Sequence, residues 1–359
     1  MKKITFLLSI LTFALNSSAQ TTDFVSGINS PNRLLVSGNN LYVQGQSTIY
    51  VVDVTAPTPV ATPIYSAPAH QYFSNFTISG TSLYFAFETF NEAEDQQLAC
   101  SISKIDLTNT GAGAVPVYSG TNYINALTIS GNTMYFVSEV EVSNIVNSTL
   151  YSFNVNTVNP VPANIISGFK IVEELEVKNN IIYVSDRNNQ KVYSVDLASP
   201  SLVTFVNALF NKGTFINNDE LYITDGNQVK KGSLLGSAPI STQVVGQNSN
   251  SVNFRDVVLI GNKMYLSLQE SGKIVIIEDA TLSSKEFASE SFSLLNNDAT
   301  LTLNGLQSKQ KIIVYNLSGQ SIIESDLDAS NNTVSISHLD AGVYILKVNE
   351  GTSFKFLKK

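Results

Sequence analysis

Ile129-Ser130-Gly131-Asn132-Thr133-Met134-Tyr135-Phe136 reads as a strand, a tight turn and a second strand. Apolar residues flank a Gly-Asn pair suited to the positive φ of a two-residue hairpin. The same phrase recurs five times. It stands at Val36-Ser37-Gly38-Asn39-Asn40-Leu41-Tyr42-Val43, Ile78-Ser79-Gly80-Thr81-Ser82-Leu83-Tyr84-Phe85 and Val177-Lys178-Asn179-Asn180-Ile181-Ile182-Tyr183-Val184. It returns at Ile216-Asn217-Asn218-Asp219-Glu220-Leu221-Tyr222-Ile223 and Ile260-Gly261-Asn262-Lys263-Met264-Tyr265-Leu266. The six anchor tyrosines lie 42, 51, 48, 39 and 43 residues apart. That period suits a four-stranded sheet repeated around an axis.

The remainder of each period supplies the missing strands. A third strand often ends in Asp, as in Ile49-Tyr50-Val51-Val52-Asp53, Ile102-Ser103-Lys104-Ile105-Asp106 and Val192-Tyr193-Ser194-Val195-Asp196. A fourth follows, as in Pro63-Ile64-Tyr65-Ser66, Pro116-Val117-Tyr118-Ser119-Gly120 and Ile165-Ile166-Ser167-Gly168. The sixth unit, ending near Glu278-Asp279, lacks a fourth strand, whereas Asp23-Phe24-Val25-Ser26-Gly27-Ile28 precedes the first unit and reads like one. The expectation is an all-β chain: a six-bladed β-propeller over residues 20–283, closed by its N-terminal strand so that no edge is left open. An open solenoid or a β-sandwich is the competing architecture. The anchor tyrosines, beside Leu, Ile or Met in every unit, are expected to pack between blades rather than form a stacking surface.

The blade Tyr183-Val184-Ser185-Asp186-Arg187-Asn188-Asn189-Gln190-Lys191-Val192-Tyr193-Ser194-Val195-Asp196 resembles the NHL-type six-bladed propellers, which favour a Y-V-x-D-x-x-N phrase. The likeness is partial in the other blades and speaks for fold rather than activity.

Composition narrows the function. Only 14% of the 359 residues are charged and 43% are hydrophobic, with 15 Tyr and 19 Phe, so a sizeable core of strands can form. A formal charge of −8 without clustered Lys and Arg argues against a nucleic-acid partner. Cys100 is the single cysteine, which excludes an internal disulfide and a cysteine zinc site; it reads as a small buried hydrophobe rather than a reactive thiol. With His70 and His338 as the only histidines, His-rich metal sites and His-dependent nucleophile systems are nearly excluded.

Lys2 and Lys3, an apolar run from Ile4 to Leu15, and the small residues Asn16-Ser17-Ser18-Ala19 read as a signal peptide over residues 1–19, with Gln20 as the mature start. No segment is long enough for a comfortable membrane span.

From about Phe292 the period breaks. Short strands are expected at Thr300–Leu303, Lys311–Tyr315, Val334–Ile336, Val343–Val348 and Phe354–Leu357, forming a small β-sandwich over 292–359 after a linker at 284–291. Ile312-Ile313-Val314-Tyr315-Asn316-Leu317-Ser318-Gly319-Gln320, Val334-Ser335-Ile336-Ser337-His338-Leu339 and Ala341-Gly342-Val343-Tyr344-Ile345-Leu346-Lys347-Val348, with a terminal Lys358-Lys359, resemble the type A C-terminal sorting domain of the Bacteroidetes type IX secretion system. Two features depart from that family: Leu294–Ala299 replaces its opening Y-P-N-P, and Gln320 stands where a basic residue is commoner. The resemblance implies a protein carried through the periplasm to the cell surface or beyond, with Tyr315, Gly319, Gly342, Tyr344, Lys358 and Lys359 as parts of the sorting signal and the secretion machinery as partner. A carbohydrate-binding or immunoglobulin-like sandwich is the plainer alternative, though it would usually offer exposed aromatic platforms and the chain has no Trp.

Ligands of propellers usually meet the mouth of the central channel. Ten and nine residues before each anchor tyrosine stand Asn32-Arg33, Ser74-Asn75, Asn125-Ala126, Glu173-Glu174, Lys212-Gly213 and Arg255-Asp256. Every pair carries a polar side chain, so a mixed-charge ring at one channel mouth is expected. It would either hold a peptide, glycan or other polar ligand or, more plainly, solvate the mouth and pair within itself. Related propellers include calcium-dependent lactonases and esterase-like enzymes; by that resemblance Glu173, Glu174, Asn75, Asn125 and Asp256 offer oxygen ligands for calcium. No nucleophile and base pair accompanies them. A non-enzymatic binding module without a cofactor is therefore expected ahead of a calcium-dependent hydrolase. The segment Glu88-Thr89-Phe90-Asn91-Glu92-Ala93-Glu94-Asp95-Gln96-Gln97 is expected to be a long acidic loop in the second blade.

Overall fold

The computed structural model describes residues 21–278 and 293–358, apart from 144, 237, 249–251, 298, 305, 307–308, 317–318 and 349–351. The expected signal peptide, linker and Lys359 lie outside the described residues. The chain divides into two compact units, residues 1–282 and 283–359.

The first unit is a six-bladed propeller. Six antiparallel four-stranded sheets follow one another, five of them built from consecutive strands. In the sixth, the order is Thr22–Ser26, Lys273–Glu278, Lys263–Leu268, Val257–Ile260, so the first strand of the chain supplies the outer strand of the last blade. Asp23 pairs with Val275 and Ser26 with Lys273. Every turn from the inner to the second strand carries one residue with φ between 51° and 60°: Gly38, Gly80, Gly131, Asn179, Asn218 and Gly261. These are the residue types that adopt the left-handed region at low cost.

Packing between blades repeats. The residue before each anchor tyrosine, Leu41, Leu83, Met134, Ile182, Leu221 or Met264, is fully buried. Each tyrosine enters the seam to the following blade: Tyr42 clusters with Leu83, Tyr84 with Met134, Tyr183 with Leu221 and Tyr222 with Met264. Tyr135, half-buried, packs against the cluster of Ile182. Tyr265 clusters with Leu41 of the first blade, so the sixth seam closes the ring. Burying one such side chain is worth about 1.5–3 kcal/mol, and the gain recurs at each seam.

Two blades are taller than the rest. The second and third strands span Ser82–Phe90 and Gln97–Asp106 in blade 2, and Thr133–Val142 and Ile145–Asn154 in blade 3, against Asn40–Gln44 and Thr48–Asp53 in blade 1. The expected acidic loop is thereby corrected: Glu88–Phe90 and Gln97 belong to strands, and only 91–96 connect them. Glu88 is buried against Tyr123, which an acidic run does not announce. The short connection ties back onto its own blade, with Glu94 accepting from the Tyr72 hydroxyl at 2.6 Å and lying 3.0 Å from His70.

Among the described residues the second unit is a sandwich of seven strands. Ser293–Asn296, Thr300–Asn304 and Thr333–Ser335 form one sheet; Ser321–Leu327, Gln310–Asn316, Gly342–Val348 and Thr352–Lys358 form the other in that order. Leu301, Leu303, Ile312, Val314, Leu346 and Val348 lie at its core. Tyr344 stacks on Phe356 with centroids 5.7 Å apart, and its hydroxyl donates to the Asp340 carbonyl at 3.0 Å. Tyr315 pairs with Ile345, Gly342 with Lys358, and Gly319 takes φ 80° in a turn.

Candidate functional site

The inner strand of each blade begins at one end of the channel, and in four blades its register slips there. The irregularity falls between Phe73 and Asn75, Ile124 and Ala126, Val172 and Glu174, and Asn211 and Thr214. A bulge re-aims side chains, and here it falls on Ser74, Asn125, Glu173 and Lys212-Gly213. The expected channel-mouth residues therefore come together from all six blades.

Their arrangement is a floor rather than an open ring. Arg33 of blade 1, only 2% exposed, reaches blade 4 on the opposite side of the axis. Its Nη2 donates to the Glu173 carbonyl and lies 3.2 Å from Glu173 Oε2, while Nη1 lies 3.0 Å from Glu174 Oε2. Asn75 Nδ2 contacts the Asn125 carbonyl at 3.2 Å and the Glu173 carbonyl at 3.4 Å. Glu173 also receives Arg255 Nη2 at 2.8 Å and Arg187 Nε at 2.7 Å, and Arg255 Nε donates to Asn32 Oδ1. Ser74 Oγ donates to the Ile124 carbonyl at 2.6 Å and Asn125 Nδ2 to Glu139 Oε2 at 2.5 Å. Asp256 accepts from the backbone N–H groups of Leu34 at 2.7 Å and Val257 at 2.8 Å. A Cβ at position 213 would fall 2.1 Å from Asp256 Oδ1 and 2.6 Å from its Cα, so only glycine admits Asp256 here.

The electrostatics follow from depth. Burial opposes the Arg33 charge, but the carboxylates of Glu174, Glu173 and Asp256 outweigh it and hold the guanidinium above its ordinary pKa. Burial would raise Glu173, yet Arg255, Arg33 and Arg187 bring it below the usual carboxylate range. Glu174 and Asp256 go the other way: burial outweighs Arg33, lifting Glu174 well up and Asp256 to about 6. Deeper in the channel Glu176 is pushed up to about 8 by burial and the neighbouring Asp256. Lys212 is lowered, first by burial and then by Arg255.

Sequence reasoning passed over Arg187, Glu88, Glu139 and Glu176. The first three share a signal: each stands four residues after its anchor tyrosine, and counting forward as well as backward would have found them. Glu176 sits among apolar positions of its strand and shows no such regularity.

The oxygen atoms do not fit a calcium ion. Glu173 is occupied by three guanidinium groups, both Asp256 oxygens accept backbone N–H groups, and the Asn75 oxygen accepts from Phe76 N at 2.7 Å. A hard cation there would displace bonds and face the arginines. Among the described residues no group of three or more His, Cys, Asp or Glu is placed to hold a metal. Cys100 is buried, its thiol pushed up to about 12 by burial and Glu88.

Residues 295–359 match the family of secretion system C-terminal sorting domains. Two solved propeller-like structures are similar in fold. One is a glucose dehydrogenase, 10% identical, with a TM-score of 0.53 over 72% of this chain and 99% of that one. The other belongs to a nidogen/laminin complex, 11% identical, with a TM-score of 0.53 over 69% and 92%. At those identities the likeness bears on fold alone. No curated protein matches the chain in sequence. The sorting domain marks a secreted or cell-surface protein that engages the secretion machinery. Among the described residues no helix is long and apolar enough to cross a membrane.

Proposed function

We propose that the propeller is a non-catalytic binding module, exported by the type IX system of a Bacteroidetes cell and presenting the floor of its channel mouth to a ligand. One observation carries this reading. Six blades contribute polar side chains to one interlocked surface, in which Glu173, Asp256 and Asn75 are each held by ion pairs or hydrogen bonds within the floor. Such a surface is organised to recognise rather than to react.

The test uses the full mature chain. Lactone and aryl-ester hydrolysis should not exceed the buffer rate with or without calcium, and an array of peptides and glycans should show binding that Arg187→Glu abolishes. Calcium-dependent turnover lost in Glu173→Gln, or array binding identical in the Arg187 variant, would overturn the reading. The export route has its own check. Without residues 292–359 the protein should accumulate in the periplasm, and unchanged surface labelling of intact cells would refute that route.

A further inference from the structure

The floor's charges are layered. Its carboxylates lie beneath: the side chains of Glu173 and Asp256 are 8% and 2% exposed. Arg33 lies as deep, and Arg187 reaches outwards. The Arg187 side chain is 44% exposed and spends only Nε on Glu173, and Arg255 spends Nε and Nη2 but not Nη1. Lys212 Nζ has no hydrogen-bond or ion-pair partner among the described residues, although Lys212 is half-buried and crowded by arginines. Its ammonium feels Glu173 only from beyond ion-pair distance. Glu173 cannot serve as its partner, since its oxygens are already taken by guanidinium groups. The polar groups left open at the surface of the floor are cationic, in a chain of formal charge −8.

What surrounds the floor restricts what can bring an anion there. The tall hairpins of blades 2 and 3 carry exposed aliphatic side chains, Leu98, Val140, Val142 and Ile145, and Phe210 is exposed on the connection between blades 4 and 5 at the same end. Glu88 and Glu139 stand at the foot of those hairpins, already bonded to Tyr123 and Asn125. The open cations are few and the rim beyond them is aliphatic, so one carboxylate with apolar neighbours finds complementary chemistry there and a polyanion does not. We propose that the channel mouth binds a single carboxylate on an extended apolar peptide segment of a partner protein, held by Arg187, Lys212 and Arg255. This rests on the binding-module reading and names its ligand class.

The probe is a capped pentapeptide with one glutamate between two pairs of valines, followed by fluorescence anisotropy on the full mature chain. Its glutamine counterpart and a uronic-acid tetrasaccharide serve as competitors. The glutamate peptide should bind about tenfold more tightly than the glutamine peptide, since a charge-assisted bond is at stake, and should weaken as salt is raised. Lys212→Gln and Arg187→Gln, both at partly exposed positions, should each weaken it about three- to tenfold with circular dichroism showing the chain still folded. Equal affinity for the glutamine peptide, no peptide binding, or preference for the uronate would overturn the proposal. Arg187-dependent binding of some other array ligand, without the peptide, would sink this inference and leave the binding module standing.

Discussion

Leu41, Leu83, Met134, Ile182, Leu221 and Met264 occupy one register of the six blades and are alike in kind; Asn32, Ser74, Asn125, Glu173, Lys212 and Arg255 occupy another and are of five different kinds. The seams can repeat because each solves the same problem, an apolar knob against the next blade, independent of the other five. The mouth cannot. Residues at that register converge on the axis, and six copies of one charge there would repel at short range in a poorly screened interior. A ring that converges must therefore be heteropolar, and this one is ordered around Glu173.

That contrast can be broken by experiment. Arg33→Met should be the costliest single change, about 3–5 kcal/mol in denaturant unfolding, because it strands Glu174 and Asp256 without their cation. Should it cost less than a seam substitution, the floor would not be an interdependent network. Leu221→Ala, a change in a seam, should cost about 2–4 kcal/mol, and the same loss should appear for Leu41→Ala if the seams are equivalent. Gly213→Ala should cost about 1–3 kcal/mol, since its methyl group meets the Asp256 backbone and carboxylate. Replacing Gly111, with only the Asn109 side chain at 3.9 Å, should cost much less.

The smallest effect sharpens the comparison through pH. Glu176 and Asp256 bind their protons more tightly in the folded chain than when unfolded. Their stabilisation is complete below about pH 4, where both states are protonated, and drains away as pH rises towards 6 for Asp256 and 8 for Glu176. Stability should therefore decline between pH 5 and 8.5, and Glu176→Gln should recover about 1 kcal/mol at the alkaline end, a modest figure because Glu176 is only half-buried. A thermal-melt profile unchanged by that substitution would show that Glu176 ionises freely.

Much of this was legible in the residues. The Tyr-anchored phrase marked six blades, and Asp23–Ile28 marked the strand that closes them, because hairpin turns and seam packing leave a local and repeated imprint. Counting back from each tyrosine reached the mouth residues for the same reason. Local rules failed where the cause was not local. Glu88 read as part of an acidic loop because nothing beside it announces that its strand extends to Phe90 and that Tyr123 of the next blade covers it. Ser293–Asn296 and Ser321–Leu327 in the sorting domain escaped notice as strands because short runs of mixed polarity become strands only through their neighbours.

The sequence by itself determined the blade count, the strand that locks the ring and the address at the C-terminus, since all three are written in patterns that neighbouring residues complete. Only the tertiary structure decided that Arg33 crosses the axis to Glu173 and Glu174, turning a ring into a floor with Arg187 exposed over it. An ion pair depends on distance in space, and the two partners stand 140 positions apart in the chain.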